Sequence, residues 1–155
     1  MITTQTTWGL RIAGEGGAGF FLDALALRGE GVRMGVDIGI LTPDRLVTYL
    51  ARTVPDDFRA RLGGFLRSVS IAEDGAVASF EDPVAGLLIS VTPIDGMWVE
   101  MEVRVVEVLD ADVAEFDGIN FETTRASLLI AAEAVTTLGQ MWDGRADEDL
   151  DEGEE

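Results

Sequence analysis

Cysteine, histidine and lysine are all missing from this 155-residue chain. Without cysteine there is no disulfide, no thiolate nucleophile and no Cys-type zinc site, and without histidine the commonest general base and metal ligand is gone. Hydrolases built on Ser-His-Asp or Cys-His arrangements are therefore excluded. All eleven cations are arginine, a bias that GC-rich codons explain. Long apolar runs are absent as well: none approaches the roughly 18 residues of a membrane span. The opening "MITTQTTWGL" has neither the basic nor the apolar region of a signal peptide, so the expected setting is the cytoplasm, away from membranes.

What the chain has in excess is negative charge, a formal −18 on a composition that is 47% hydrophobic. The two coexist only if charge is kept apart from the core. Part of the separation is along the chain. In "DGRADEDLDEGEE", residues 143–155, eight carboxylates oppose Arg145 alone. Such a block cannot repay its ordering entropy, and it reads as an acidic disordered tail on a single domain of residues 1–142. The field should repel nucleic acid and anionic lipid and attract a basic protein.

Along the domain the clearest pattern is period two. In "VRMGVDIGI", Val32, Met34, Val36, Ile38 and Ile40 alternate with polar or small residues, and in "MWVEMEVRVVEV" Met97, Val99, Met101, Val103 and Val105 do the same. Both read as strands with one buried face. "FFLDALALR", with Phe21, Asp23, Leu25 and Leu27 on one face, pairs with the first as a hairpin through the Gly29–Gly31 turn. Leu87, Ile89 and Val91 mark another strand, and Trp8, Leu10 and Ile12 an early one. Asp74-Gly75 and Asp95-Gly96 are hairpin-turn signals.

Two helices are expected. "TPDRLVTYLAR" offers Thr42 as cap and Pro43 at the first position, followed by a short turn or two over "DDFRARL" that Gly63 and Gly64 stop. The second starts at Thr123 or Thr124, with Leu128, Ala131, Ala132, Val135 and Leu138 as its stripe. Overlaying "GILTPDRLVTYLARTV" on "NFETTRASLLIAAEAV" suggests a β-β-β-α duplication. The fold expected is α+β: a mainly antiparallel sheet of six or seven strands with two principal helices on one face.

Three features invite chemistry. Gly14, Gly16 and Gly19 in "GEGGAGFF" have the spacing of a dinucleotide-binding loop, with Asp37 at the distance of a ribose ligand. Asp37 sits inside an alternating strand, however, and the intervening segment is too short for a crossover helix, so a hairpin loop is the better reading and no cofactor is expected. "DADVAEFDGINFE" reads as a loop in which Asp110, Asp112, Glu115 and Asp117 could supply oxygen ligands to a hard cation. Their spacing departs from an EF-hand, and solvated loop charge is favoured over a metal site. Finally, Trp98, Glu100, Glu102 and Arg104 share the polar face of the long strand. Paired glutamates suit glycosidase chemistry, but an indole beside carboxylates is the better anchor for an arginine-bearing partner.

The run "VASFEDPVAGLLISVTPIDGMWVEMEVRV" resembles small actinobacterial strand-rich domains of unknown function, through Phe80, Glu81, Gly86, Leu87, Val91, Asp95, Gly96 and Trp98. The resemblance implies the fold and brings no catalytic residue. The sequence thus points to a non-enzymatic acidic domain that binds a basic protein in the manner of immunity proteins, inhibitors or nucleic-acid mimics. The candidate contacts are Trp98, Glu100, Glu102, Arg104, Asp110, Asp112, Glu115 and Asp117. A structural or viral assembly protein that forms homo-oligomers, a small-ligand or metal-binding domain, and plain adaptation to a salty cytoplasm are the alternatives.

Overall fold

The computed structural model describes residues 3–28, 32–110 and 113–138. Strands β1 (Thr3–Ala13), β2 (Gly19–Arg28), β3 (Val32–Leu41) and β4 (Leu46–Thr53) pair antiparallel in chain order. Helix α1 (Phe58–Ser70) follows. A second antiparallel meander then runs through β5 (Ala78–Asp82), β6 (Leu87–Pro93), β7 (Trp98–Asp110) and β8 (Val113–Thr124), and leads into α2 (Arg125–Glu133), which a π turn prolongs to Leu138. The fold is α+β, as expected. Its strands form two four-stranded sheets instead of one sheet of six or seven, and four strands, not three, precede each helix.

Alternation builds both sheets. Val36, Ile38 and Ile40 of β3, Leu87, Ile89 and Val91 of β6, and Val99, Met101, Val103 and Val105 of β7 are all buried in one continuous core that also takes Leu10 and Ile12. On β2 the parity is the reverse of the expected one: Phe20, Leu22 and Ala24 face inward, while Phe21 and Asp23 face out half-buried. Phe21 can sit outside because its ring lies on Gly39 across the strand pair, where a Cβ would fall 1.9 Å from the ring. The Arg11 guanidinium covers the ring at 4.4 Å and pairs with Asp23 at 3.1 Å.

The helix expected at Thr42 is a strand. Thr42 Oγ1 does accept the Arg45 N–H at 3.1 Å, but the Thr42 N–H also donates to the Arg45 carbonyl at 2.9 Å, closing a hairpin turn over Pro43-Asp44. A threonine oxygen on the amide three residues ahead is common to caps and to turns. The overlay of residues 39–54 on 120–135 therefore sets a strand on a helix, and the duplication it suggested loses that support.

Conversely, α1 runs straight through Gly63 and Gly64, burying Phe58, Leu62, Leu66 and Val69. Gly63 is needed there, since a Cβ would stand 2.6 Å from Thr136 Cγ2. Asp74-Gly75 makes the connection from α1 to β5, not a hairpin. The glycine run at Gly14–Gly19 is a β1–β2 hairpin turn with Gly16 and Gly17 at positive φ, and the element after it is a strand, not the helix that a dinucleotide-binding loop opens.

Polar ties join the sheets. Thr123 of β8 donates to the Ala13 carbonyl at the end of β1, at 2.8 Å. Arg52 of β4 reaches the carbonyls of Ala85 and Val106 at 3.3 and 3.1 Å. The helices pack against each other and run in opposite directions: Arg125 at the start of α2 meets Ser70 and Ala72, and Thr136 meets Gly63. The Thr124 side chain caps α2 by accepting the Ser127 N–H at 3.1 Å. The acidic tail expected over 143–155 lies outside the described residues.

Candidate functional site

Strand β7 turns Val99, Met101, Val103 and Val105 to the core, so Trp98, Glu100, Glu102 and Arg104 all take the opposite side. Among the described residues no helix covers that side. Glu100 and Arg104 are exposed, Trp98 and Glu102 half-buried. Register supplies the rest: Thr124, Glu122, Asn120 and Gly118 of β8 stand opposite Trp98, Glu100, Glu102 and Arg104, while Thr92, Ser90 and Leu88 of β6 flank the last three. On β5, Glu81 stands opposite Leu88, and Ser79 meets Ser90 oxygen to oxygen at 3.2 Å.

The centre of this face is anionic. Glu102 is neutralised by Arg104 Nε at 2.6 Å. Among the described residues no arginine is paired with Glu100 or Glu122, which stand directly opposite each other. Asn120, with its amide turned to suit its neighbours, donates to Glu100 Oε1 at 3.3 Å and to the Met101 carbonyl at 3.1 Å.

The Asp95-Gly96 hairpin fixes where the face begins. Asp95 Oδ1 accepts the N–H groups of both Met97 and Trp98 at 2.8 Å. These two bonds, with Arg125 nearby, hold the Asp95 carboxyl below its ordinary pKa. Arg125 locks the same corner: its Nε donates to the Asp95 carbonyl at 2.7 Å, and its Nη groups reach the Ser70 and Ala72 carbonyls and Asp74 Oδ1.

The structure thus brings together Trp98, Glu100, Glu102 and Arg104 on one side of β7. Asp110 ends β7, and Glu115 and Asp117 lie in β8, opposite Glu107 and Val105. Their side chains, and the whole of Asp112, lie outside the described residues. The acidic stretch is not a loop, because the β7–β8 ladder continues to Asp110 and Val113. At about 3.3 Å per residue Asp110 lies roughly 33 Å from Glu100 along β7, whereas Asp117 stands opposite Val105, beside Arg104. Among the described residues no three carboxylates converge.

Glu122, Asn120 and Glu81 were not anticipated as members of this face. The alternation of buried Ile119, Phe121 and Thr123 with exposed Asn120 and Glu122 is the signal that would have found two of them. No helix among the described residues is long and apolar enough to cross a membrane. The chain matches no protein-family model and no curated protein.

Proposed function

We propose that this chain is a non-enzymatic, cytoplasmic interaction domain that binds a basic protein through the outer face of β5–β8, as immunity proteins, inhibitors and nucleic-acid mimics do. The observation that carries the reading is Glu100 opposite Glu122. Like charges directly across a strand pair are destabilising, and an arginine or lysine inserted between them removes the repulsion. Trp98 at the rim offers its indole to a guanidinium, and Glu102 and Glu81 extend the anionic surface. With a net charge of −18 the long-range field favours encounter with a cation, an effect that fades with salt because the Debye length is about 8 Å at physiological ionic strength.

The experiment is capture from native lysate at low and high salt, with wild-type protein beside a folded Glu100→Arg, Glu122→Arg variant. A basic protein held by the wild type at low salt, and lost both in high salt and in the variant, is the expected outcome. Equal retention by the variant removes this face from the function.

A second reading, assembly, rests on β4. It is an edge strand of the first sheet, and its Leu46 and Leu50 are 54% and 72% exposed. An open apolar edge is a template for pairing with a second copy. Light scattering that shows a mass rising with concentration, and abolished by Leu50→Lys, would favour assembly.

A further inference from the structure

Beyond Arg104, at the far end of β7 from Trp98, a cavity of about 340 Å³ opens where the β5–β6 turn meets β4 and β7. Arg52 and Glu81 both border it, and Val84, Leu88 and Val106 form much of its apolar wall.

Backbone bonds hold the cavity in shape. Asp82, buried at the end of β5, accepts the Ala85 N–H at 2.9 Å and pairs with Arg61. The Gly86 N–H donates to the Asp82 carbonyl at 2.9 Å, and the Gly86 carbonyl accepts the Val106 N–H at 2.8 Å. Gly86 has a φ of +72°. A Cβ there would stand 3.0 Å from the Val106 carbonyl oxygen and 3.1 Å from Arg52 Nη1, so glycine gives the guanidinium its place.

The charges that border the cavity are not spent on each other. Arg52 Nη1 is fixed on the Ala85 and Val106 carbonyls at 3.3 and 3.1 Å, with the guanidinium 5.1 Å from the centre of the Tyr49 ring. Among the described residues Arg52 pairs with no carboxylate, and its Nε and Nη2 donate no hydrogen bond. Glu81 is exposed opposite Leu88, and among the described residues its carboxylate meets no arginine.

We infer that this cavity binds a small apolar zwitterion of the free amino-acid type. Its carboxylate lies on the Nε–Nη2 edge of Arg52, its ammonium on Glu81, and its side chain on Val84, Leu88 and Val106. An apolar wall with a few fixed polar groups, in this range of volume, is the make-up of a small-molecule site. The Nε–Nη2 edge presents two parallel N–H groups, which match a carboxylate. An unpaired cation and an unpaired anion on one cavity select a ligand that carries both charges. A ligand with a carboxylate alone would meet Glu81 and the field of a chain at −18 uncompensated. The site is independent of the basic-partner reading, since it is tested on the purified protein alone.

The test is calorimetric titration of the full chain with leucine, methionine and phenylalanine, and with the N-acetyl and carboxamide forms of the tightest binder. At least one amino acid should saturate the protein at about 10 mM, as a Kd of about 1 mM requires, and should move the methyl resonances of Val84, Leu88 and Val106. Blocking either end should weaken binding about tenfold or more, the worth of a hydrogen bond to a charged group. Glu81→Gln, an exposed change, should erase the preference for the free amine over the N-acetyl form, and Arg52→Gln the preference for the acid over the amide. Because Arg52 also ties the sheets, the ligand series on the unmodified protein and Glu81→Gln decide the outcome where Arg52→Gln does not fold. Absence of saturable binding by all three amino acids overturns the inference. So does equal binding of a blocked form, or resonance changes confined to another surface.

Discussion

Glu100 and Glu122 face each other across the β7–β8 ladder, on the solvent side of a strand whose Val99, Met101, Val103 and Val105 are buried on the other side. Neither can turn inward without exchanging places with Met101 or Phe121, so the repulsion is built into the register. Glu122→Gln should therefore raise stability by about 0.2–1 kcal/mol in urea titrations while weakening capture of the basic partner. Gain in one and loss in the other is the pattern of a site kept for binding at the expense of stability.

Asp95 contributes to the acid limb. Its carboxyl titrates below the ordinary 3.8 because the folded chain gives it the Met97 and Trp98 N–H groups. A folded-state pKa lowered in this way stabilises above the unfolded value and is lost as pH falls through the folded one. Asp95→Asn keeps an oxygen for those amides but has no proton to gain. Stability measured against pH should fall less steeply below about pH 4 in the variant than in the wild type.

Gly63 and Gly64 are neighbours with opposite fates. Gly63→Ala drives a methyl to 2.6 Å from Thr136 Cγ2 and should cost about 1–3 kcal/mol through overpacking. Gly64→Ala enters open space on the same helix and should stabilise by about 0.5–1 kcal/mol. Paired thermal melts give the sign of each.

Arg125 is a fastener with a side chain only 14% exposed, bonded to the end of α1, to Asp74 and to the β6–β7 turn. Arg125→Ala should lose about 2–3 kcal/mol, in line with hydrogen bonds from a charged donor. Arg67→Ala, which breaks an exposed pair, should lose less than about 1 kcal/mol. Urea midpoints for the two variants check the contrast.

Strands β3, β6 and β7 were legible because their alternation is long and unbroken, and Thr124 announced α2 by cap chemistry that the structure retains. The same chemistry misled at Thr42, where a threonine oxygen on the amide three residues ahead closes a hairpin. Of the binding face, Trp98, Glu100, Glu102 and Arg104 could be found because they share one strand. Glu122, twenty-two residues from Glu100, could not be placed beside it without the register.

The sequence by itself determined which side chains of β3, β6 and β7 go inward and which chemistries are impossible, because unbroken alternation and the absence of cysteine and histidine are local or compositional facts. Tertiary structure alone decided that the strands split into two sheets, that β4 is extended and α1 helical, and that Phe21 lies outside over Gly39. Those outcomes turn on partners distant in the chain: a strand to pair with, a glycine to lie on, a helix close enough to need Gly63. The free energy of such contacts exceeds the small local preferences that a sequence displays.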